Sequence, residues 1–347
     1  MKKILSLMLV GIMTLTMLVG CGSVSNDNIK IKKYKGLEVE KVVTADVTDE
    51  DVEASIKSDL ETLATTEEIK NRPAQKGDIV VIDFVGKENG VEFEGGSGKD
   101  TRLELGTGAF IPGFEDGVVG KNIGQTFNLN LTFPKDYTPS PDMAGKAVVF
   151  TVTLKSITAK HVPELTVDVL SKLGSTAKTI EEYKAQVKEN LKELNAKNAE
   201  DELKTKIKEA LLEQSKVKDC PDKTLIEATK KLVFEESYAA YMSGINIDTY
   251  IMDTYEMSVE LKAKEMAILD LAFDLIAKRE KIKISTNEYE TAVTQLAAEY
   301  DFTDKNEFVQ SYEGIYGSDY IKDSLLEDKI MQFLIDNCKQ VEAKAEK

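Results

Sequence analysis

The stretch Leu103-Glu104-Leu105-Gly106-Thr107-Gly108-Ala109-Phe110-Ile111-Pro112-Gly113-Phe114-Glu115 decides the reading of this chain. On its N-terminal side, Ile79 to Phe84 is a β-branched and aromatic run that ends at Gly86. On its C-terminal side, Phe127-Asn128-Leu129-Asn130-Leu131-Thr132-Phe133 alternates apolar and polar side chains, the period of a half-buried strand. Glycines at 90, 95, 96, 98, 106, 108, 113, 117, 120 and 124 fall between these runs and are expected in turns, with Asn89-Gly90 as a hairpin signal. A small, strongly curved antiparallel sheet from Gly77 to Ile157 follows.

The form Gly-x-Gly-x-Phe-Ile-Pro-Gly-Phe-Glu, here Gly106 to Glu115, resembles the FKBP-type peptidyl-prolyl isomerases in the branch found inside trigger factors. The resemblance continues through Val81-Ile82-Asp83-Phe84-Val85-Gly86, Phe93-Glu94-Gly95-Gly96, Phe133-Pro134-Lys135-Asp136-Tyr137 and Ala144-Gly145-Lys146, and it ends at Phe150. It implies an α+β chain in which an FKBP-like curved sheet domain, residues 73–159, is inserted in a mainly helical trigger-factor-type chaperone domain.

The pieces around it fit that plan. Residues 1–20 carry Lys2-Lys3, an uncharged apolar run from Ile4 to Val19, and Gly20 before Cys21. That pattern is an export signal. Leu18-Val19-Gly20-Cys21 resembles the bacterial lipobox, so Cys21 is the expected lipidation site and the cell membrane, on its extracytoplasmic face, the expected location. The rival, an uncleaved membrane helix, has a run short for a span. Residues 21–35 read as a tether. Lys30, Lys32, Lys33 and Lys35 in it could lie against anionic lipid, but the alternation of Ile29, Ile31 and Tyr34 favours an ordinary strand edge. Residues 36–72 form a lead-in: a strand at 36–40, a helix capped by Thr48 with Val52, Ile56, Leu60 and Leu63 on one face, and a loop through Asn71-Arg72-Pro73. The short distance from Cys21 to Gly77 leaves no room for the ribosome-docking domain of trigger factors, so ribosome binding is not expected.

From 160 to 347 the pattern turns helical. Thr179-Ile180-Glu181-Glu182 is a capping box followed by Tyr183, Val187, Leu191 and Leu194, and a second pattern, Leu203, Ile207, Leu211 and Leu212, is expected to stop before Cys220-Pro221. Further helices are predicted over 223–241, 258–281, 286–300, 305–312 and 319–338, with a frayed end from 342 to 347. Pro163-Glu164-Leu165, the Thr179 helix, Pro221 and Ile282-Lys283-Ile284 before Ser285 are placed as in the trigger factor chaperone domain.

Composition narrows the chemistry. The 347 residues suffice for two or three domains, and the formal net charge of −16 becomes −18 once Lys2 and Lys3 leave with the leader. Nucleic acid is not an expected partner of so acidic a chain. One histidine, His161, and three cysteines leave no Cys/His zinc set, so neither metal nor cofactor is expected. Cys220 and Cys338 read as free thiols.

Isomerisation at Xaa-Pro makes and breaks no bond, so it asks for an apolar pocket with one or two hydrogen-bond donors. By resemblance, Phe84, Phe93, Glu94, Phe110, Ile111, Phe114, Tyr137 and Phe150 are the pocket residues, with Phe114 as the floor beneath the proline ring. The Ile111 N–H and the Tyr137 hydroxyl would hold substrate carbonyls. Thr138 stands where a histidine often follows this tyrosine, and Pro139-Ser140-Pro141 alters the flap beside it. In the helical part, Met242, Met252, Met257, Met266, Tyr238, Tyr241, Tyr250 and Tyr255 form either an adaptable surface for apolar partners or a core where helices meet. The reading is a lipid-anchored isomerase and chaperone whose partners are unfolded or nascent exported polypeptides. The alternatives are a holdase without turnover and a solute-binding lipoprotein, the latter requiring two α/β lobes.

Overall fold

The computed structural model describes residues 23–316 and 319–342. The export signal, Cys21 and residues 343–347 lie outside the described residues. The chain divides into two compact units, one of residues up to 45 together with 194 onward, the other of residues 46–193.

In chain order, β1 (Val24–Ser25), β2 (Ile29–Ile31) and β3 (Glu38–Glu40) precede α1 (Asp49–Thr62), β4 (Thr65–Ile69), β5 (Ile79–Glu88), β6 (Val91–Glu104), α2 (Phe114–Val118), β7 (Thr126–Thr132) and β8 (Ala147–His161). Then come α3 (Val167–Leu170), α4 (Ile180–Gln214), β9 (Ser215–Val217), α5 (Asp222–Ser243), α6 (Ile247–Tyr255), α7 (Val259–Glu280), α8 (Thr286–Glu299), α9 (Lys305–Tyr316), α10 (Tyr320–Asn337) and β10 (Lys339–Val341). The fold class is α+β, as expected.

In the unit of residues 46–193 the sheet order is β4-β8-β5-β6, with β7 also on β8. One edge of β8 is shared along its length, β7 taking residues 147–153 and β4 residues 157–161, and this splits the sheet and curves it. The β5–β6 hairpin turns at Asn89 and Gly90, with φ of 50° and 86°. Two consecutive positive φ values make the turn whose twist matches the flanking strands. Inward residues Val80, Ile82, Leu103, Leu105, Val152, Leu154 and Ile157 close on Phe114 and Val118 of α2. A second small core joins Val52, Ile56 and Leu60 of α1 to Leu170, Tyr183 and Val187. The α1 cap is reciprocal: the Asp51 N–H donates to Thr48 Oγ1 (3.2 Å), and the Thr48 N–H to the Asp51 carboxylate (2.8 Å).

In the other unit, Ile29, Ile31, Tyr34, Leu37 and Val39 pack with Ile207, Leu211, Ile276, Ile330 and Leu334. The segment expected as a tether is therefore folded from Val24 onward, two of its isoleucines being fully buried. The structure differs elsewhere too. The strands β1, β4, β9 and β10 and the helix α6 are absent from the sequence-based expectation: β4, β9 and β10 pair with strands distant in sequence, while β1 and α6 are short and pack on neighbours along the chain, β1 on β2 and α6 between α5 and α7. The two patterns after Thr179 belong to one helix of 35 residues that ends at Gln214, earlier than Pro221 requires. At its start the Glu182 N–H donates to Thr179 Oγ1, but the Glu182 carboxylate reaches the Lys178 N–H rather than that of Thr179. Gly95, Gly96 and Gly98 lie inside β6, not in a turn: Gly95 takes a positive φ of 75°, and at Gly96 and Gly98 aromatic rings occupy the space a side chain would need. A Cβ on Gly96 would sit 2.6 Å from the Phe93 ring, and one on Gly98 2.6 Å from that of Phe84.

A candidate prolyl site built on the curved sheet

The site grows from the loop between β6 and α2. Gly106, Gly108 and Gly113 have φ of 97°, 76° and 88°, and the chain between them is tied down by one side chain. The Glu115 carboxylate, at the start of α2, accepts from the N–H groups of Gly106 (2.7 Å), Gly108 (3.0 Å) and Phe110 (3.2 Å). Burial opposes its charge, but the N–H donors of Gly108, Phe110 and Gly106 outweigh burial and hold this carboxyl below its ordinary range. The loop's entry is fixed by a second carboxylate. Asp78 accepts from both terminal nitrogens of Arg72 (2.6 and 2.8 Å) and from the Gln75 N–H (2.8 Å), while its own backbone bonds Leu105. The Arg72 pair is the main reason the Asp78 carboxyl is also depressed.

That loop presents Phe110 and Ile111, and the sheet supplies the wall behind them. Phe110 stacks on Phe114 at 4.4 Å between centroids, and Phe84 meets both edge-on at 5.4 and 5.8 Å. Phe150 meets Phe114 at 5.2 Å and Phe93 at 6.0 Å. Phe133 joins Phe93 at 5.9 Å to Tyr137 at 4.8 Å. Seven of the eight residues expected in the pocket are thus brought together. Glu94 is not among them: it is exposed on β6 with neither a hydrogen bond nor an ion pair among the described residues.

Exposure separates the rings. Phe84 and Phe150 are buried, which corrects the expectation that they face the pocket; their edge-on contacts make them the packed wall behind it. Phe114 is 0% exposed, enclosed by the half-buried Phe110 stacked on it, by Phe84 and Phe150 edge-on, and by the core of the sheet. Phe133, absent from the expected set, is the link between the wall and Tyr137. Its alternating strand marked it as core, and only its ring contacts give it this role. Among the described residues, neither the Ile111 N–H nor the Tyr137 hydroxyl has a hydrogen-bond partner.

The helical unit divides the Met/Tyr cluster in two. Tyr250, Tyr255 and Met266 pack around Leu232, Ile251 and Ala263, whereas Tyr241 (79%), Met242 (65%), Tyr238 (51%) and Met252 (49%) are exposed. Cys220 and Cys338 are free thiols. Among the described residues no group of His, Cys, Asp and Glu is arranged to hold a metal ion.

Residues 70–155 match the family described as FKBP-type peptidyl-prolyl cis-trans isomerase, and residues 179–336 that described as bacterial trigger factor protein C-terminus. The trigger factor of Caldanaerobacter subterraneus subsp. tengcongensis is 36% identical over 323 residues, covering 90% of this chain and 72% of that protein. The trigger factor of Streptococcus equi subsp. zooepidemicus is 32% identical over 322 residues, covering 91% and 74%. A solved structure of the trigger factor chaperone aligns over 89% of this chain at 19% identity with a TM-score of 0.39. The isomerase-type match falls on the loop, wall and donors described above, the C-terminal match on the helices that follow, and the chain belongs to the trigger factor family.

Proposed function

We propose that the protein is a peptidyl-prolyl cis-trans isomerase and chaperone for exported polypeptides, held at the extracytoplasmic face of the membrane by lipid on Cys21. The observation that carries the catalytic part is a wall of phenyl rings flanked by two donors, the Ile111 N–H and the Tyr137 hydroxyl, that have no hydrogen-bond partner among the described residues. An Xaa-Pro bond crosses a barrier of ~20 kcal/mol by twisting. Twisting removes amide resonance and makes the carbonyl-to-nitrogen unit less charge-separated. An apolar surface favours that form over the planar one, while the donors hold the flanking carbonyls in place. No acid, base or nucleophile is needed.

The exposed Tyr241, Met242, Tyr238 and Met252 support the chaperone part. Flexible thioethers and amphipathic rings adapt to varied apolar segments. A client held there meets the isomerase site at raised effective concentration. The leader and Leu18-Val19-Gly20-Cys21 support the lipid anchor and the export setting.

The test is proline-limited refolding together with isomerisation of a short Xaa-Pro peptide. Tyr137→Ala, at a half-buried position, and Phe114→Ala are each expected to lower the rate by an order of magnitude or more. Unchanged rates in folded variants remove these residues from the site. One observation favours a second reading: Phe114 is covered by Phe110, as suits a holdase that binds chains without turnover. A holdase suppresses aggregation and leaves the slow refolding phase unaltered.

A further inference from the structure

The sheet β1-β2-β9 gathers lysines on one surface that no carboxylate among the described residues answers. Directly opposed residues of an antiparallel pair share a face. Ile29 lies across Val217 and Ile31 across Ser215 on the core side, so Lys30 lies across Lys216 on the outer side, with Ser25 on its other flank. Lys32 and Lys218 each follow their strand by one residue, Lys218 reaching the outer face through its bond to Ser25 Oγ, and all four lysines are exposed. Two like charges facing each other across a strand pair destabilise it. Nothing local compensates for this. Among the described residues none of the four forms an ion pair, and Lys218 donates only to neutral oxygens, Ser25 Oγ and the Asn26 carbonyl, both at 2.6 Å. Asp27 in the β1–β2 turn and Asp219 beyond β9 are exposed at the margins and pair with none of them. By contrast Lys204, Lys206 and Lys208 on α4 each meet a carboxylate, as befits a chain of formal net charge −16.

The second observation is where this face sits along the chain. Val24 follows Cys21 by three residues, and three extended residues reach at most about 10 Å. A lipid on Cys21 therefore holds the sheet within roughly one Debye length of the headgroups. We propose that the face formed by Lys30, Lys32, Lys216 and Lys218 docks on anionic phospholipid headgroups beside the acylated cysteine, an inference that rests on the lipid-anchor reading above. The charge complementarity is local. The lysine face is drawn to the lipid while the acidic remainder is repelled, so the anchored protein is oriented with this sheet toward the membrane.

The experiment uses the acylated protein extracted from membranes and reconstituted into vesicles of phosphatidylcholine alone or mixed with phosphatidylglycerol. A membrane-impermeant amine-acylating reagent is applied, and labelling of each lysine is read by mass spectrometry, with Lys223 on α5 as reference. The four lysines are expected to label about fivefold or more slowly on the anionic vesicles, at the worth of a single lysine near such a surface. High salt should abolish the difference. Lys30→Gln combined with Lys216→Gln, at exposed positions, should return Lys32 and Lys218 to the phosphatidylcholine rate. An acylated Cys21 with labelling independent of lipid composition overturns the docking and leaves the anchor standing. An N-terminal peptide without acyl mass overturns the anchor and the docking with it. Slow labelling on both vesicle types means that protein, not lipid, covers the face, and also overturns the proposal.

Discussion

Phe110 lies flat on Phe114, with ring centroids 4.4 Å apart and planes inclined by 30°. The ring expected to floor the prolyl site is thereby sealed, while its cover, on a loop between glycines, is half-exposed. A prolyl ring reaches Phe114 only if Phe110 turns aside. Breaking such a pair forgoes about 0.5–1.5 kcal/mol beyond its buried area. Phe110→Ala is therefore expected to tighten binding of an Xaa-Pro peptide about two- to tenfold, measured by calorimetric titration. Weaker binding would show that Phe110 is a wall of the site and not its cover.

Glu115 gives a second outcome. Its carboxylate accepts three loop N–H groups, and Glu115→Gln turns an acceptor edge into a donor facing donors. The variant should lose about 2–4 kcal/mol in urea unfolding at pH 7, on the scale of hydrogen bonds to a charged group. Because the folded carboxyl is depressed, its stabilising effect is present above the unfolded value near 4.5 and lost as pH falls through the folded one. The gap between wild type and variant should then shrink toward pH 3. A gap constant with pH would rule out the ionised carboxylate as its source.

Gly86 tests the aromatic wall without touching the donors. A Cβ there would lie 2.6 Å from the Phe150 ring and 2.9 Å from the Gly96 carbonyl oxygen. Backbone strain is not involved, since its φ is not positive. Gly86→Ala should cost about 1–3 kcal/mol by overpacking, read as a lower melting temperature with displaced Phe150 ring resonances. Wild-type stability would mean that the wall yields freely.

The helical unit should respond to acid in the opposite sense to Glu115. Burial pushes Asp270 and Asp328 up to about 6, each against a nearby lysine, Lys231 and Lys204 respectively. Glu327, bridging Lys208 (3.3 Å) and Lys231 (3.1 Å), adds like charge to both. A carboxyl raised on folding contributes stability that is full below its unfolded value and lost as pH rises through 6. Protection of α7 and α10 in hydrogen exchange should therefore grow between pH 7 and pH 5, by about 1–3 kcal/mol after allowing for partial solvation. Asp270→Asn should flatten the change. Weaker protection at pH 5 would count against the buried pair as the cause.

The curved sheet was readable in advance because its information is local. Val80, Ile82, Leu129 and Leu131 alternate as strands do, Asn89-Gly90 supplies the positive φ of the hairpin, and Thr48 and Ser285 carry their caps within three residues. The same holds for the composition of the pocket, since Gly106 to Glu115 places both rings and the Glu115 acceptor on ten consecutive positions. The linear order left undecided which rings are wall and which are reachable. Exposure of Phe84, Phe110, Phe114 and Phe150 depends on how four separate elements close on one another, and a ring's burial has no signature in its neighbours along the chain. The ring contacts of Phe133 with Phe93 and Tyr137 likewise have no signature in the residues beside it.

Short strands show the limit most clearly. Ile29-Lys30-Ile31 alternates, but its partner Ser215-Lys216-Val217 lies 186 residues on, and β3 finds β10 some three hundred residues away. Local periodicity thus sufficed for the class of the fold, the helix starts and the family's loop, since those rest on propensity, caps and turn geometry within a few residues. The covering of Phe114, the idle donors at Ile111 and Tyr137, and the meeting of Lys30 with Lys216 came only with folding, because long-range packing and strand pairing set distances that sequence separation does not.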